Sequence, residues 1–319
     1  MKIKKEYILL AVLIISSALY LLFKQTDRVH YTLPEIKPMK ADDITAIEAS
    51  RAGKALKLIR KDKAWYISPM NWRADPTKVS EMLEKLSGLT VTDLVSESKA
   101  YDRYQLDAAN KTLIKAYSGN KITRELDMGK AAPTNSHTYI RLPGDSRIYL
   151  ASGDMPRLFQ TPAAELRDLQ VLSFASEEIT AIEITESGRS AVLAKQELPP
   201  DKSAKGPSGD TVKLYTWKNQ KGETIDKASI DTFLSGLSRF YCEKYLDDTQ
   251  KTALVNPAIS IKLKGPKEYT LSIFEKTGDI VPAISSQSES PFVFPGYKLE
   301  SLKKSLDEIM GRKAVTKKE

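Results

Sequence analysis

The side chains best suited to chemistry are few and scattered. The chain has two histidines, His30 and His137, and one cysteine, Cys242. A zinc site needs three or four converging ligands, usually His and Cys at short spacing. Neither histidine has such companions, so both read as exposed side chains and no metal or other cofactor is expected. A single cysteine excludes an intrachain disulfide, and in Phe240-Tyr-Cys-Glu-Lys-Tyr-Leu246, which reads as one half-apolar strand, it is expected to be a buried, inert thiol. A Ser-His-Asp triad needs histidine beside a serine elbow, and neither histidine lies near one. Gly206-Pro-Ser-Gly209 lacks the Lys-Ser or Lys-Thr ending that completes a phosphate loop. The carboxylate pairs Glu177–Glu178 and Asp247–Asp248 fall at element boundaries, where solvated caps are the simpler reading than glycosidase acids. No catalytic residue is expected.

Binding chemistry is better represented. Aromatic faces stack on sugars and suit interfaces, and the chain has Trp65, Trp72, Trp217 and fourteen tyrosines. Trp65 and Trp217 lie in strand-like runs and read as core, whereas Trp72 follows the loop Pro69-Met-Asn71 and reads as surface. Arg167 and Asp168 follow an apolar turn and form either an ion pair at a domain joint or a partner-docking point. With Tyr104, these residues make up the candidate partner or ligand surface: Trp72, Tyr104, Arg167 and Asp168.

An element near the amino terminus positions everything else. Residues 7–23 contain no charge, with Lys2, Lys4 and Lys5 before them and Lys24 after. At a rise of 1.5 Å per residue they cover about 25 Å, enough to span a thin hydrocarbon core with the lysines reaching the headgroups. A cleavable signal has a shorter apolar stretch ending in a small-x-small site; here five apolar residues follow Ser16-Ser-Ala18. The lysine excess on the leading side keeps residues 1–6 in the cytoplasm. The expectation is a single-pass protein of the cytoplasmic membrane, touching lipid through residues 7–23, with its body on the extracytoplasmic side. The net charge of +8 is spread among acids, so no nucleic-acid partner is expected.

The body is written twice. Asp42-Asp-Ile-Thr-Ala-Ile-Glu48 returns as Glu177-Glu-Ile-Thr-Ala-Ile-Glu183. Each copy continues with strands, then a helix: Asp75 caps one with Val79, Met82, Leu83 and Leu86 on a face, and Asp226 caps the other with Ile230, Phe233, Leu234 and Leu237. Antiparallel hairpins follow at Thr112–Met128 and Ala258–Phe274. The predicted fold is α+β: an extended tether over 24–41, one antiparallel-sheet-plus-helix repeat over 42–175, a second over 176–311 with an insertion loop at 197–210, and a basic tail at 312–319. Each repeat is expected to hold five to seven strands.

The Ile-Thr-Ala-Ile-Glu opening, Lys63-Ala-Trp65-Tyr, Ala74-Asp75, Tyr104-Gln-Leu106-Asp107 and Leu166-Arg167-Asp168 resemble the bacterial domain-of-unknown-function 4340 family. The family motif is usually Tyr-Gly-Leu-Asp followed by a proline; here Gln105 replaces the glycine, and Ala109-Asn110 stand where the proline is expected. The resemblance implies an envelope protein that partners ABC-type exporters or gliding-like systems. The expected function is therefore a non-enzymatic, membrane-tethered envelope interaction protein, accessory to an exporter. The alternatives are an envelope glycan or peptidoglycan binding module, and a hydrolase with a loop-assembled site.

Overall fold

The computed structural model describes residues 5–23, 31–198, 215–247, 254–288 and 290–311. The start of the expected tether with His30, most of the insertion loop, Asp248 and the basic tail lie outside the described residues. Residues Lys5–Phe23 form helix α1. Among the described residues no helix is long and apolar enough to cross a membrane; of α1, the side chains described are those of Leu10 and Val12–Tyr20. The chain divides into two compact units, Met1–Arg167 and Asp168–Glu319.

The first unit contains strands β1 (Ala46–Arg51), β2 (Lys54–Lys61), β3 (Ala64–Ser68) and β4 (Trp72–Arg73), then helix α2 (Pro76–Ser87). Strands β5 (Val91–Ser96), β6 (Thr112–Ser118), β7 (Lys121–Ala131), β8 (His137–Arg141) and β9 (Ile148–Ser152) follow, and the helical turn α3 (Pro156–Phe159) closes the unit. The strands make one antiparallel sheet in the order β4-β3-β2-β1-β6-β7-β8-β9-β5. Burial alternates along them: Ile47 and Ala49 on β1, Trp65 and Ile67 on β3, and Ile114 and Ala116 on β6 face inward, as in a sheet with one dry face. Val79, Met82 and Leu86 of α2 lie in the same apolar cluster, and their i, i+3, i+7 spacing is the inward stripe of an amphipathic helix.

The second unit opens with β10 (Gln170–Ser173), β11 (Ala181–Glu186), β12 (Arg189–Glu197), β13 (Tyr215–Asn219) and β14 (Thr224–Ile225), then helix α4 (Lys227–Leu237). It continues with β15 (Arg239–Tyr241), β16 (Lys244–Tyr245), β17 (Ile259–Lys264), β18 (Glu268–Ile273), β19 (Ile280–Ser285), β20 (Phe292–Pro295) and helix α5 (Gly296–Ile309). Its main sheet runs β14-β13-β12-β11-β17-β18-β19-β20-β16, while among the described residues β10 pairs with β15 alone. The fold is thus α+β, and among the described residues each main sheet has nine strands rather than five to seven.

Three differences from the expected layout have physical causes. The first unit ends at Arg167 instead of at 175, because Leu172 and Ser173 pair with Phe240 and Arg239. The run Phe240–Leu246, expected as one strand, splits: Cys242 is buried between β15 and β16, its N–H donating to Leu169 O at 2.9 Å. Residues 36–40 are docked rather than free. Ile36 and Met39 pack against the first core, and the buried Arg124 on β7 donates to Lys37 O at 2.9 Å and to Leu86 O, near the end of α2, at 3.2 Å. That burial lowers the pKa of the guanidinium.

Both main helices begin as their sequences require. Asp75 Oδ1 accepts from the N–H groups of Thr77 and Lys78 at 2.8 and 3.3 Å, with Pro76 at the first helical position, where no donor is needed. Asp226 Oδ2 accepts from Ser229 N–H at 2.9 Å, and the backbone bond from Ser229 lowers its pKa. Replacing an N-cap carboxylate by Ala leaves helix donors unsatisfied, so Asp75→Ala should cost about 1 kcal/mol in urea denaturation, and Asp75→Asn much less.

Candidate functional site

The antiparallel bridge between Ala74 and Arg167 draws two of the sequence-selected residues together. Asp75 N–H donates to Leu166 O at 2.8 Å, and the Lys78 ammonium donates to Glu165 O, so the strand-like end of the unit lies along the start of α2. This places the Arg167 guanidinium 4.2 Å from the centroid of the Trp72 ring. Arg167 is only 8% exposed, and Trp72 packs against the first apolar core. One ring face is therefore occupied by a desolvated cation, an arrangement that locks the loop after α3 to the sheet edge. Asp168 opens the second unit and turns the chain there: its Oδ1 accepts from Gln170 N–H at 2.9 Å, and its carbonyl accepts from Tyr245 Oη–H at 2.7 Å.

Tyr104 sits elsewhere in the first unit, at the end of a 3-10 turn over Tyr101–Tyr104. Its ring centroid is 4.8 Å from that of Tyr139. Its carbonyl oxygen lies 2.1 Å from where a Cβ on Gly129 would be, so only glycine fits on β7 at that point. The next residue, Gln105, has φ 56°, in the left-handed region. A glycine would hold that conformation without the penalty a side chain brings, which fits the glycine that the family resemblance leads one to expect at this position.

Two carboxylates beside this turn are held by cations. Asp127 pairs with Lys111 at 3.0 Å and with Arg141, whose Nε lies 3.0 Å away, and the Arg141 guanidinium stacks 4.8 Å from the Tyr101 ring centroid. Asp145 accepts from Arg147 Nη2 at 2.8 Å and from Tyr149 Oη–H at 2.8 Å. The Arg147 hydrogen bonds hold the Asp145 carboxyl far below the usual carboxylate range. Burial, with the Asp145 hydrogen bond and charge, pushes the Tyr149 hydroxyl up to about 12. Both groups move away from neutrality, the opposite of what a general acid or base at pH 7 requires. Among the described residues, no three His, Cys, Asp or Glu side chains are grouped to hold a metal ion.

A cleft of about 490 Å³ opens between the β1–β2 hairpin and the loop after α3. Ala49, Leu56, Phe159 and Pro162 supply apolar walls, and Arg51 and Lys54 stand at the hairpin end. On its lining, Gln160 Nε2 donates to the buried Thr112 Oγ1 at 3.1 Å. The hairpin turns through Ala52, with φ 47°, and Gly53, with φ 77°. Sequence reasoning did not select these residues: Thr112 and Gln160 are 48 positions apart, and no local spacing signals their contact.

The family model described as "Domain of unknown function (DUF4340)" covers residues 65–257. No curated protein and no solved structure matches the chain.

Three measurements probe this geometry. A double-mutant cycle on Trp72→Ala and Arg167→Ala should give a favourable coupling of about 1–2 kcal/mol in chemical denaturation, as for a desolvated cation over an indole. Gly129→Ala should destabilise the protein by roughly 1–3 kcal/mol through overpacking, whereas Gln105→Gly should be neutral or mildly stabilising, because relief of the left-handed strain offsets the added freedom of the unfolded chain. For Tyr149, the folded state keeps a proton that the unfolded state releases near the ordinary value. Its stabilising contribution is complete below pH 10 and lost as pH rises toward about 12. The fall in unfolding free energy across that window should be shallower for Tyr149→Phe than for the parent protein.

Proposed function

We propose, from the premise that the chain belongs to the domain-of-unknown-function 4340 family, that it is a non-enzymatic envelope interaction protein. It is tethered to the cytoplasmic membrane by α1 and holds its body on the extracytoplasmic side. The carrying observation is the surface of α1. Leu10, Val12, Leu13, Ile14, Ile15 and Leu19 are each 46–60% exposed, and at 100° per residue they point in all directions around the helix axis. A helix that is apolar all round needs cover on every side, and a bilayer supplies it. The lysines at positions 2, 4 and 5 favour a cytoplasmic amino terminus.

The two units are read as tandem copies of one ancestral domain. Three observations support this: the repeated Ile-Thr-Ala-Ile-Glu segment, the matching order of neighbours in the two main sheets, and an Asp-capped helix at the same point of each. Paired copies present two broad, stable surfaces for a partner. By resemblance to its family, that partner is an exporter of the ABC type, with this chain as an accessory subunit.

Carbonate washing of membranes tests the tether. The full chain should stay with the membrane pellet, and a variant lacking residues 1–30 should be released; a full chain that is washed off would overturn the reading. Crosslinking in native membranes, read by mass spectrometry, tests the partnership. Recovery with a polytopic ATP-driven exporter is the expected result, and recovery as a bare monomer would remove the accessory role.

A further inference from the structure

Helices α4 and α5 of the second unit leave a groove of about 490 Å³ between them. Its floor is apolar, made by the buried Phe233, Leu237, Phe240 and Leu302. Two tyrosines at its edge are conspicuously uncovered: Tyr241 is 46% exposed and Tyr297 70%. A Cβ built on Gly236 meets nothing within 4 Å, so the α4 wall is open along that stretch.

The remaining walls carry hydroxyls and cations. Thr232, Ser235 and Ser305 donate their hydroxyl protons to the helix carbonyls of Ala228, Thr232 and Ser301, which leaves their oxygens as acceptors toward the groove. Arg239 and Lys298 line the same groove, and none of its described lining residues is acidic. Lys298 is anchored, donating to Tyr241 O at 2.9 Å with its ammonium 5.4 Å from the Phe240 ring centroid. A neighbouring cleft that shares Thr232 and Ser235 is lined by Glu177 and Asp231, so an anionic ligand is confined to the α4–α5 side.

Exposed aromatic rings, outward acceptors for O–H donors and positive charge with no acid in the described lining are the recognition elements of an acidic sugar. Aromatic faces take the C–H face of a pyranose ring, and a concave site of this size accommodates a short oligosaccharide. An amphipathic helix would need a continuous apolar strip, and here hydroxyls interrupt it on both walls. We propose that the α4–α5 groove binds a short stretch of carboxylated glycan, with a sugar ring stacked on the more exposed Tyr297 and a carboxylate at Arg239. The site lies wholly within the second unit, so it stands or falls independently of the membrane tether and of any exporter.

Isothermal titration of the full chain, held in a polyoxyethylene detergent that carries no sugar, is the test. Tetragalacturonic acid is the acidic probe, neutral chitotetraose the control, and an acidic amphipathic peptide the competitor. The expected result is binding of the acidic tetrasaccharide, at least about tenfold tighter than the neutral one. Tyr297→Ala should weaken it by about tenfold, the value of one aromatic contact. Gly236→Leu fills the groove while improving helix propensity, so it should abolish binding with helix content and Tm maintained. If Gly236→Leu fails to fold, the exposed Tyr297→Ala decides alone. No binding of the acidic probe, equal affinity for the neutral sugar, unchanged affinity in the variants that fold, or tighter binding of the peptide at the same residues would each overturn the proposal.

Discussion

Each nine-stranded sheet has one dry face, and a sheet of that width cannot hide it unaided. Along β6 and β17 every second residue points inward, Thr112, Ile114 and Ala116 in one and Ile259, Ile261 and Leu263 in the other. Strict alternation fixes the register, since a slip of one residue would turn these side chains to water. It also fixes what must cover them. In the first unit the cover includes α2 and the short α3, whose Leu158 and Phe159 join the core. In the second unit α4 and α5 share the task, with Phe233, Leu237, Leu302 and Leu306 in one cluster. The features of greatest binding interest sit at the margins of that cover: the cleft beside the loop after α3, and the groove where α4 and α5 fail to close.

The elements built from local rules were legible in the sequence. Asp75 and Asp226 as caps, the inward faces of both main helices and the central hairpins all follow from nearest-neighbour spacing. What was not legible depended on distant contacts or on residues that argue against their own element. Strand β19 carries Pro282, which ordinarily counts against a strand. It is tolerated because β18 ends at Ile273, and at that point Pro282 needs only its carbonyl, which accepts from Phe274 N–H at 2.9 Å. The stack of Arg167 on Trp72 joins residues 95 positions apart, and the pairing of β10 with β15, which shifts the boundary between units, leaves no trace in composition.

The charges follow a consistent pattern. Asp127 is clasped by Lys111 and Arg141, and Asp145 by Arg147 and the Tyr149 hydroxyl. Such pairs hold loops and strand ends in place. Arg167 takes part in the same economy through an aromatic face. Sequence reading selected it for its position beside a turn, and the structure adds why the position matters: the guanidinium secures the last segment of the first unit to the strand edge where Trp72 sits.

Arg124 gives the body a mechanical property. Its guanidinium ties the carbonyl of Lys37 to that of Leu86, and a few residues later the chain enters β1, which lies between β2 and β6. A pull from the amino-terminal side therefore meets this latch before it reaches the sheet. Beyond it, the load passes into a strand zipped along both edges, where two ladders of hydrogen bonds resist together as the strand is drawn along its own axis. The chain is thus joined to its body by a central strand with a buried cationic clasp, an attachment suited to bearing tension.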